Sequence, residues 1–360
     1  MAERLILRRP SLITAAETLY VPRRPRQKEK LVFICNPSTG NKNAKELAER
    51  IADFLPRSWE IDYKISEDAG QEIGLAADGV REEATIEVSV GGDGTLNGVV
   101  RGVTEELRRK KRHIGEVPIA NVHAGTVGNM DKENGRIRDP ELIAFMLKNG
   151  IIRDMDLLRI NGYPAVGVAG AGFDASRMKI VQPPGEKKLK TGVMPFLWEG
   201  AKGIIPYRGI PVLEAEVDGK EIPVKRLAQV WMTSMRYSLS SFSMDGKSLN
   251  DDRIFEAYFI PGRGWQLAPR VAVTYVLRGR NNPLAYCAKV NDHVRIKYAD
   301  EVDVEVDGTP IGNTDEIGVK LDPETISYLG PGHKMDMFGQ DKNWDYSQGT
   351  AETVVFEATT

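Results

Sequence analysis

The sequence is poor in the features that mark secreted, membrane-spanning or zinc-dependent proteins. It has only two cysteines in 360 residues, Cys35 and Cys287, far apart and without the spacing of metal ligands, which predicts a fold that does not depend on disulfides. No apolar run approaches the roughly 20 residues that cross a bilayer, and the first residues lack the compact apolar block of a signal peptide. We therefore expect a cytoplasmic protein.

An excess of charge of one sign is also missing. Lys and Arg together number 49 and Asp and Glu 51, so no overall positive field favours a nucleic-acid partner. The local exception is the basic stretch 1–29, for which a solvated arm is the simplest interpretation. The alternative is attraction of this arm to an anionic membrane surface.

The first large part of the chain alternates strand-like and helical patterns. Apolar residues make up 41% of the sequence, enough for more than one core at this length. From residue 30 the runs "KLVFIC", "WEIDYKI", "TIEVSV" and "VPIANV" are typical of buried strands, and helical spacing separates them. This alternation predicts a Rossmann-like parallel α/β domain over residues 30–152.

Near residue 151 the hydrophobic period changes to that of short strands joined by turns. Residues 153–330 are therefore predicted to form an antiparallel β-sandwich, with helices only at "GVMPFLWEGAKGI" and around "LAPRVAVTYVLRG". Residues 331–360, rich in Gly, Asp, Asn and Thr, are predicted to be a tail. Exposed sandwich edges offer pairing surfaces for a homodimer.

Three glycines surround one carboxylate in "VSVGGDGTLNGVV", at a junction between a predicted strand and a predicted helix. Such a junction presents backbone N–H groups and a helix dipole to phosphates. Gly91, Gly92 and Gly94 can take positive φ and let a ligand come close, and Thr95 can hydrogen-bond to it. Because Asp93 would repel phosphate, the turn predicts Mg²⁺ coordination or proton handling by this carboxylate. The alternative is a tight turn with a solvated Asp.

The chain has neither a P-loop nor a dinucleotide G-x-G-x-x-G turn after a strand, but three of its turns resemble those of one superfamily. "GGDGT", "NPSTG" and "AGTVGN" are similar to the signatures of the diacylglycerol kinase, sphingosine kinase and NAD kinase superfamily. The resemblance implies ATP and Mg²⁺ as cofactors, with Asp93 at the metal. The residues that it assigns to nucleotide binding are Asn36, Pro37, Thr39, Gly40, Gly91, Gly92, Gly94, Thr95, Asn97, Gly125 and Thr126.

The second half of the sequence favours the lipid kinase branch of that superfamily. "RDMDLLRINGYPAVGVAGAGFDA", "LNDDRIFEAYFI" and "VEVDGTPI" resemble lipid-kinase segments, in chain order. NAD kinase remains the alternative because "GTVGNM" also resembles a turn of that branch, although the Thr-Gly-Ser-Thr-Ala-Tyr segment expected of a NAD kinase is missing. The expected acceptor is a hydroxyl of diacylglycerol, a sphingoid base or ceramide.

The lipid-kinase resemblance also implies roles for residues of the second half. Phe173 and Asp174 would face the lipid substrate, and Asp307 would join Asp93 as a catalytic residue. For Asp174 a turn-capping role is an equal alternative, and Asp307 stands in an Asp-Gly pair typical of a two-residue hairpin turn. His123 could line the nucleotide site or serve only the fold.

Three departures from the lipid-kinase pattern affect the functional prediction. Gly98 stands where these kinases carry Glu after "GGDGTxN", "GTVGNM" displaces an acid to Asp131, and Thr309 occupies the position of a glutamate proposed as catalytic base. Three explanations follow: Asp93 alone takes the base or metal role, the substrate differs from diacylglycerol, or the chain binds without turnover.

Residues 177–200 mix cations with Phe196, Leu197 and Trp198 beside the predicted substrate turn. This combination favours peripheral docking on an anionic lipid surface, such as the inner face of a membrane. The alternative is a solvated loop before an ordinary amphipathic helix.

Overall fold

A computed structural model shows two large sheets and one two-stranded sheet. The structure describes residues 5–6, 19–22, 28–38, 43–68, 70–124, 128, 130–131, 137–181, 207–235, 237–238, 242–243, 250–262, 266 and 285–331. The predicted helices at 192–204 and 267–279, the region 182–206 and the tail beyond residue 331 lie outside these ranges.

The first sheet has eight strands, and its central part is parallel, as the sequence predicts. Along the sheet the order is β1-β2-β7-β20-β6-β5-β3-β4. The strands are β1 (Leu5–Ile6), β2 (Leu19–Pro22), β3 (Lys30–Cys35), β4 (Glu60–Ile65), β5 (Ile86–Gly91), β6 (Ile119–His123), β7 (Ile151–Met155) and β20 (Ile326–Gly330).

Helices cover both faces of this sheet. They are α1 (Ala44–Ala52), α2 (Gln71–Arg81), α3 (Asp93–Arg109) and α4 (Pro140–Asn149). Alternate residues of β3 face opposite sides, so Val32 and Ile34 pack towards α2 and α3 while Leu31 and Phe33 pack towards α1 and α4. The near-continuous apolar strands of the sequence follow from this burial on two faces.

The antiparallel side of the first sheet differs from the prediction of a purely parallel domain. β7 pairs antiparallel with both β2 and β20, and β20 lies parallel to β6. Residues 19–22, predicted as part of a solvated arm, are therefore a strand, and residues 326–330, predicted for the second domain, belong to the first sheet. A short strand that pairs with a distant segment carries little signal of its own in the sequence.

The second sheet is antiparallel and has ten strands. They are β8 (Leu158–Ile160), β9 (Tyr163–Ala165), β10 (Val168–Gly172), β11 (Ile210–Val217), β12 (Lys220–Glu221), β13 (Arg226–Thr233), β16 (Phe255–Pro261), β17 (Tyr286–Val290), β18 (His293–Val306) and β19 (Thr309–Leu321). A separate hairpin joins β14 (Tyr237–Ser238) and β15 (Phe242–Ser243), and helix α5 (Phe173–Val181) follows β10.

Strand β18 pairs with different strands along its length. Its first half pairs with β11, its second half pairs with β10, and the register shifts between Lys297 and Val302 along β19. The sheet has one large buried apolar core, and a smaller apolar cluster that includes Val168, Phe173 and Trp231 lies apart from it. The predicted class, an α/β domain followed by an antiparallel β domain, is confirmed. Strand β13 also pairs with both β10 and β11, so two strands connect these parts of the sheet.

Buried carboxylates that pair with arginine side chains connect the two large sheets. Asp322, fully buried, accepts hydrogen bonds from Arg108 of α3 and Arg159 of β8. Burial alone would raise the pKa of Asp322, but the bonds from the two arginines hold it below its ordinary value. Arg253 donates to Asp156 at 3.0 Å and to the carbonyl of Asp322 at 2.6 Å. These contacts fix α3 relative to the second sheet.

None of the helices within the described ranges combines the length and the apolar character needed to cross a bilayer.

Close packing of α2 on α3 gives the first prediction. A Cβ added at Gly102 would overlap the carbonyl oxygen of Ile73 and lie 2.9 Å from the Cβ of Ala76, whereas a Cβ at Gly74 would meet nothing within 4 Å. Gly102→Ala should therefore lower the free energy of unfolding by about 1–3 kcal/mol. Gly74→Ala should raise it by about 0.5–1 kcal/mol because Ala is the better helix former. Urea denaturation of both variants checks the pair, and equal shifts would contradict the packing argument.

Candidate active site

The glycine turn is the start of helix α3. Gly92 is the N-cap, with φ −96° and ψ −174°, and the helix begins at Asp93. An acid in the first turn is favourable because it faces the positive end of the helix dipole. Gly91, Gly92 and Gly94 do not use the positive φ that glycine allows. Space explains the first glycine instead: a Cβ on Gly91 would overlap the side chain of Thr95.

Two backbone hydrogen bonds bring the predicted turns together at the carboxyl edge of the sheet. The N–H of Asn36 donates to the carbonyl of Val90 at 3.0 Å, and the N–H of Ala124 donates to the carbonyl of Gly91 at 2.8 Å. They form because β5 lies between β3 and β6, next to the point where the strand order reverses. Thr39, Gly40, Gly125 and Thr126 lie outside the described residues.

Asn36 shapes its own turn before Pro37. Its Oδ1 accepts the N–H of Ser38 at 2.9 Å, and its Nδ2 donates to Oε1 of Glu72 at 2.6 Å. The first of these bonds is the local side-chain-to-backbone contact that Asn provides in turns. These contacts organise the backbone at the end of β3, so nucleotide binding by the Asn36 side chain stays a prediction.

Asp93 lies half-buried beside a second acid. Burial is the main cause of the raised pKa of Asp307, and the negative charge of Asp93 is a smaller one. Thr95, only 3% exposed, faces Gly91, and its Oγ1 has no hydrogen-bond partner among the described residues. The hydroxyl of Thr309 lies next to Gly94, 3.4 Å from where a Cβ on that glycine would stand. The turn therefore meets the β18–β19 hairpin.

Asp307, predicted to be catalytic, holds that hairpin in place. Its carboxylate accepts the N–H groups of Val166, Gly167 and Val168 at 2.8–2.9 Å and the side-chain amide of Asn97 at 2.8 Å. Burial raises its pKa to about 6, although the three backbone donors favour the ionised form. Positive φ at Asp307 and Gly308 gives the expected two-residue turn. Because both oxygens already accept two hydrogen bonds, the geometry argues against a general base here.

Asn97, predicted to bind nucleotide, connects α3 to the second sheet. Its Nδ2 donates to Asp307 at 2.8 Å and to the carbonyl of Pro164 at 2.9 Å. Both amide hydrogens are thus directed at the protein rather than at a ligand. A position one helical turn beyond Asp93 makes this link possible, and it keeps the glycine turn in register with the hairpin.

Phe173 and Asp174, predicted to face the substrate, differ in their surroundings. Phe173 is 5% exposed and packs edge-on against Tyr207 with ring centroids 5.2 Å apart, so it belongs to an apolar cluster. Asp174 accepts the indole N–H of Trp231 at 2.9 Å, and burial raises its pKa to about 6. Its backbone N–H donates to Gln229 at 2.8 Å. Asp174 therefore lies in the first turn of α5 and also presents a carboxyl beside the sheet.

Glu305 is an acid of this region that sequence reasoning missed. Glu305 lies on β18 and is 3% exposed. Its Oε2 accepts the N–H of Gly308 at 2.7 Å, and the charges of Asp307 and Asp174 also act on it. Burial raises its pKa to about 8. Gly170 makes room for it on the paired strand, since a Cβ there would lie 2.6 Å from Oε1. The alternation "VDVEVDG", with valines facing the core, was the available signal.

This raised pKa gives a second prediction. Because the folded pKa, about 8, lies above the ordinary value of 4.5, the contribution of Glu305 to stability is full below pH 4.5 and is lost as the pH rises to about 8. Glu305→Gln should flatten the fall in unfolding free energy over that window by up to about 1.4 kcal/mol per pH unit. Urea denaturation near pH 5 and pH 8 measures it, with exposed Glu214→Gln as the control; parallel slopes for the wild-type protein and Glu305→Gln would contradict the assignment.

His123 supports the neighbouring turn. Its ring is 5% exposed and lies against Gly128, where a Cβ would be 2.7 Å from the imidazole and where φ is +66°. Arg138 donates to the His123 carbonyl at 3.2 Å and to Asp131 at 2.8 Å. These contacts favour the structural alternative for His123 and place the displaced acid, Asp131, in an ion pair.

Comparison with known proteins agrees with this geometry. A family model described as the diacylglycerol kinase catalytic domain matches residues 30–160. Residues 30–160 belong to the diacylglycerol kinase catalytic-domain family. The match covers the three converging turns and extends to β8, so the first sheet is built largely from this kinase catalytic domain.

Curated bacterial relatives extend the similarity beyond the catalytic domain. A diacylglycerol kinase of Bacillus subtilis (strain 168) is 26% identical over 284 residues, which is 77% of this chain and 88% of that protein. A diacylglycerol kinase of Staphylococcus carnosus (strain TM300) is 27% identical over 234 residues, 63% of this chain and 70% of that protein. Both alignments are longer than the 30–160 match, so the similarity extends into the second sheet.

A solved structure shares the fold. The crystal structure of a diacylglycerol kinase from Bacillus anthracis str. Sterne superposes with a TM-score of 0.59 at 14% identity and covers 84% of this chain and 96% of that one. The similarity spans both the α/β sheet and the antiparallel sheet, as the coverage requires.

Proposed function

We propose that the protein is an ATP- and Mg²⁺-dependent lipid kinase that transfers the γ-phosphate to a hydroxyl of a membrane lipid. The observation that carries the proposal is the meeting of the Asn36 turn, the glycine turn and Ala124 at the carboxyl edge of the sheet. Backbone N–H groups at such an edge bind phosphate well. The family match and the bacterial relatives named diacylglycerol kinase support a lipid hydroxyl as acceptor.

The described residues could bind Mg²⁺ only together with phosphate oxygens and water. No group of three or more His, Cys, Asp or Glu side chains in the described part of the chain could hold a metal by itself. Mg²⁺ at kinase sites needs only one or two carboxylates besides phosphate oxygens and water. Asp93 would supply that carboxylate, and the ion would neutralise charge on the nucleotide.

The other proposed roles, from phosphate orientation to proton acceptance, belong to side chains and backbone groups of the protein. The helix dipole and N–H groups of α3 would orient the phosphates, and the contacts of Asn97 with Asp307 would fix Asp93 against the second sheet. In this proposal Asp93 also accepts the proton of the attacking hydroxyl, because Asp307 is fully engaged and Thr309 cannot act as a base. Asp174 would contact the polar head of the acceptor.

The proposal is tested with the purified full chain, radiolabelled ATP and Mg²⁺, and mixed micelles that contain diacylglycerol, a sphingoid base or ceramide. We expect labelled lipid with one of these acceptors and none with NAD. Labelled NADP would identify a NAD kinase instead. ATP binding without any labelled product on the full panel would identify a binding protein without turnover, the outcome that Gly98 and Thr309 suggest.

A further inference from the structure

We infer that Glu72 is a positioning residue that holds the Asn36 turn in the conformation proposed to receive nucleotide, and that position 98 is glycine because the Glu72 side chain fills the adjacent space. The inference rests on the proposed function for its nucleotide. Its structural part stands on contacts of α2, β3 and α3 that need no ligand.

Glu72 joins three segments through one buried carboxylate. It is 4% exposed at the start of α2. Its Oε1 accepts from Nδ2 of Asn36 at 2.6 Å and from the hydroxyl of Ser66 at 3.3 Å, and its Oε2 accepts the N–H of Gly70 at 2.8 Å. A buried charge that accepts from several donors is a strong contact, and loss of the acceptor leaves those donors without it.

This carboxylate fixes which way the Asn36 amide points. With Nδ2 bound to Glu72, Oδ1 faces the N–H of Ser38 and accepts it at 2.9 Å. The backbone N–H of Asn36 is held by Val90, the residue before Gly91. Glu72 therefore acts on the turn through Asn36, and the turn adjoins the glycine turn of α3.

Gly98 is the complementary feature. A Cβ at this position would lie 3.0 Å from Cβ of Glu72 and 3.8 Å from its Oε2, so any side chain there would compete with Glu72 for one space. Position 98 is also where the sequence departs from the Glu of the lipid-kinase pattern. The acid is present in this chain, but it reaches the region from α2 instead of α3.

The simpler explanation is that Glu72 only caps α2 through Gly70. A cap would change the stability of α2 without changing the Asn36 turn. The hydrogen-exchange rate of the Ser38 backbone amide therefore distinguishes the two roles, because its hydrogen bond depends on the orientation of the Asn36 side chain.

The first experiment compares Glu72→Ala with Glu67→Ala, an exposed acid of the same connection. Amide hydrogen exchange without nucleotide should speed up at Ser38 about tenfold in Glu72→Ala and not in the control. Calorimetric titration with ATP should show about tenfold weaker binding in Glu72→Ala only. With an active enzyme, KM for ATP should rise by a similar factor while kcat changes less than about threefold.

The second experiment exchanges the two positions. Glu72→Gly should weaken ATP binding, and adding Gly98→Glu to it should recover most of the loss, to within about threefold of the wild-type protein. Gly98→Glu alone should reduce stability, because two acids then occupy one site. A double variant no tighter than Glu72→Gly would contradict the shared space.

Unchanged Ser38 exchange in a folded Glu72→Ala or, should Ala prevent folding, Glu72→Gly variant would overturn the positioning role, because neither side chain can accept from Asn36. That readout needs no nucleotide. A wild-type protein that binds no ATP would instead count against the proposed function, so the two failures are distinguishable.

Discussion

Asp93→Asn is expected to reduce lipid phosphorylation at least about 100-fold, the size of effect that a positioned acid or base supplies. Asn keeps the size of the side chain and one oxygen but cannot accept a proton, and it weakens a metal contact. In the absence of Mg²⁺ the same variant should bind ATP as tightly as the wild-type protein or more tightly, because a half-buried negative charge next to the phosphates is removed. Single-turnover kinetics and calorimetry measure the two effects.

The matched control for this variant is Asp78→Asn, an exposed acid of α2 that pairs with Arg81. It should leave both the rate and the affinity for ATP unchanged, since an exposed ion pair contributes little. Asp93→Asn with a rate within a few fold of the wild-type protein would remove Asp93 from the chemistry, whatever its position in the turn.

Asp322→Asn is expected to lower the free energy of unfolding by about 3–5 kcal/mol, as the loss of one partner of a buried ion pair does. Asp322 is fully buried, and Arg108 and Arg159 both donate to it from opposite sides of the boundary between the sheets. Neutralising it leaves two guanidinium groups without their carboxylate. Because α3 carries Asp93 at one end and Arg108 at the other, the same variant should also loosen the glycine turn.

Glu105→Gln provides the comparison on the same helix. Glu105 is exposed and pairs with Arg101 at 2.8 Å, so its loss should change the free energy of unfolding by less than about 0.5 kcal/mol. Equal effects of the two substitutions in urea denaturation would show that the Asp322 cluster does not join the sheets.

The parallel core of the first sheet could be predicted from the sequence because its signals are local. Each of β3, β5 and β6 is a continuous apolar run, and α3 shows helical spacing from Leu96 to Leu107. Because the strands alternate with helices, the crossover connections are right-handed and the turns lie at one edge of the sheet. The meeting of Asn36 with the glycine turn followed from that reasoning.

The contacts that define the site could not be predicted in the same way, because they join residues far apart in the chain. Asp307 meets Val166 and Asn97 only when the hairpin packs on α3, and Glu72 meets Asn36 only when α2 packs on β3. Motif resemblance assigned Asp307 and Asn97 to catalysis and nucleotide binding. Their hydrogen bonds show that both side chains stabilise the fold, which the motif alone does not reveal.

The reason for each glycine in and after the glycine turn depends on its surroundings in the fold. Glycine can take positive φ, yet the glycine turn does not use it, and Gly91 is needed for space beside Thr95. Gly98 likewise makes room for Glu72. A sequence shows that a side chain is missing, but only packing shows what takes its place.

In the proposed function, the Asn36 turn, the glycine turn and the strand end at Ala124 form one phosphate site. The most direct measurement is the crystal structure of the full chain with Mg²⁺ and a non-hydrolysable ATP analogue. We expect phosphate oxygens within hydrogen-bond distance of backbone N–H groups at the start of α3, with Asp93 at the metal. Phosphates bound elsewhere, with the glycine turn left empty, would contradict it.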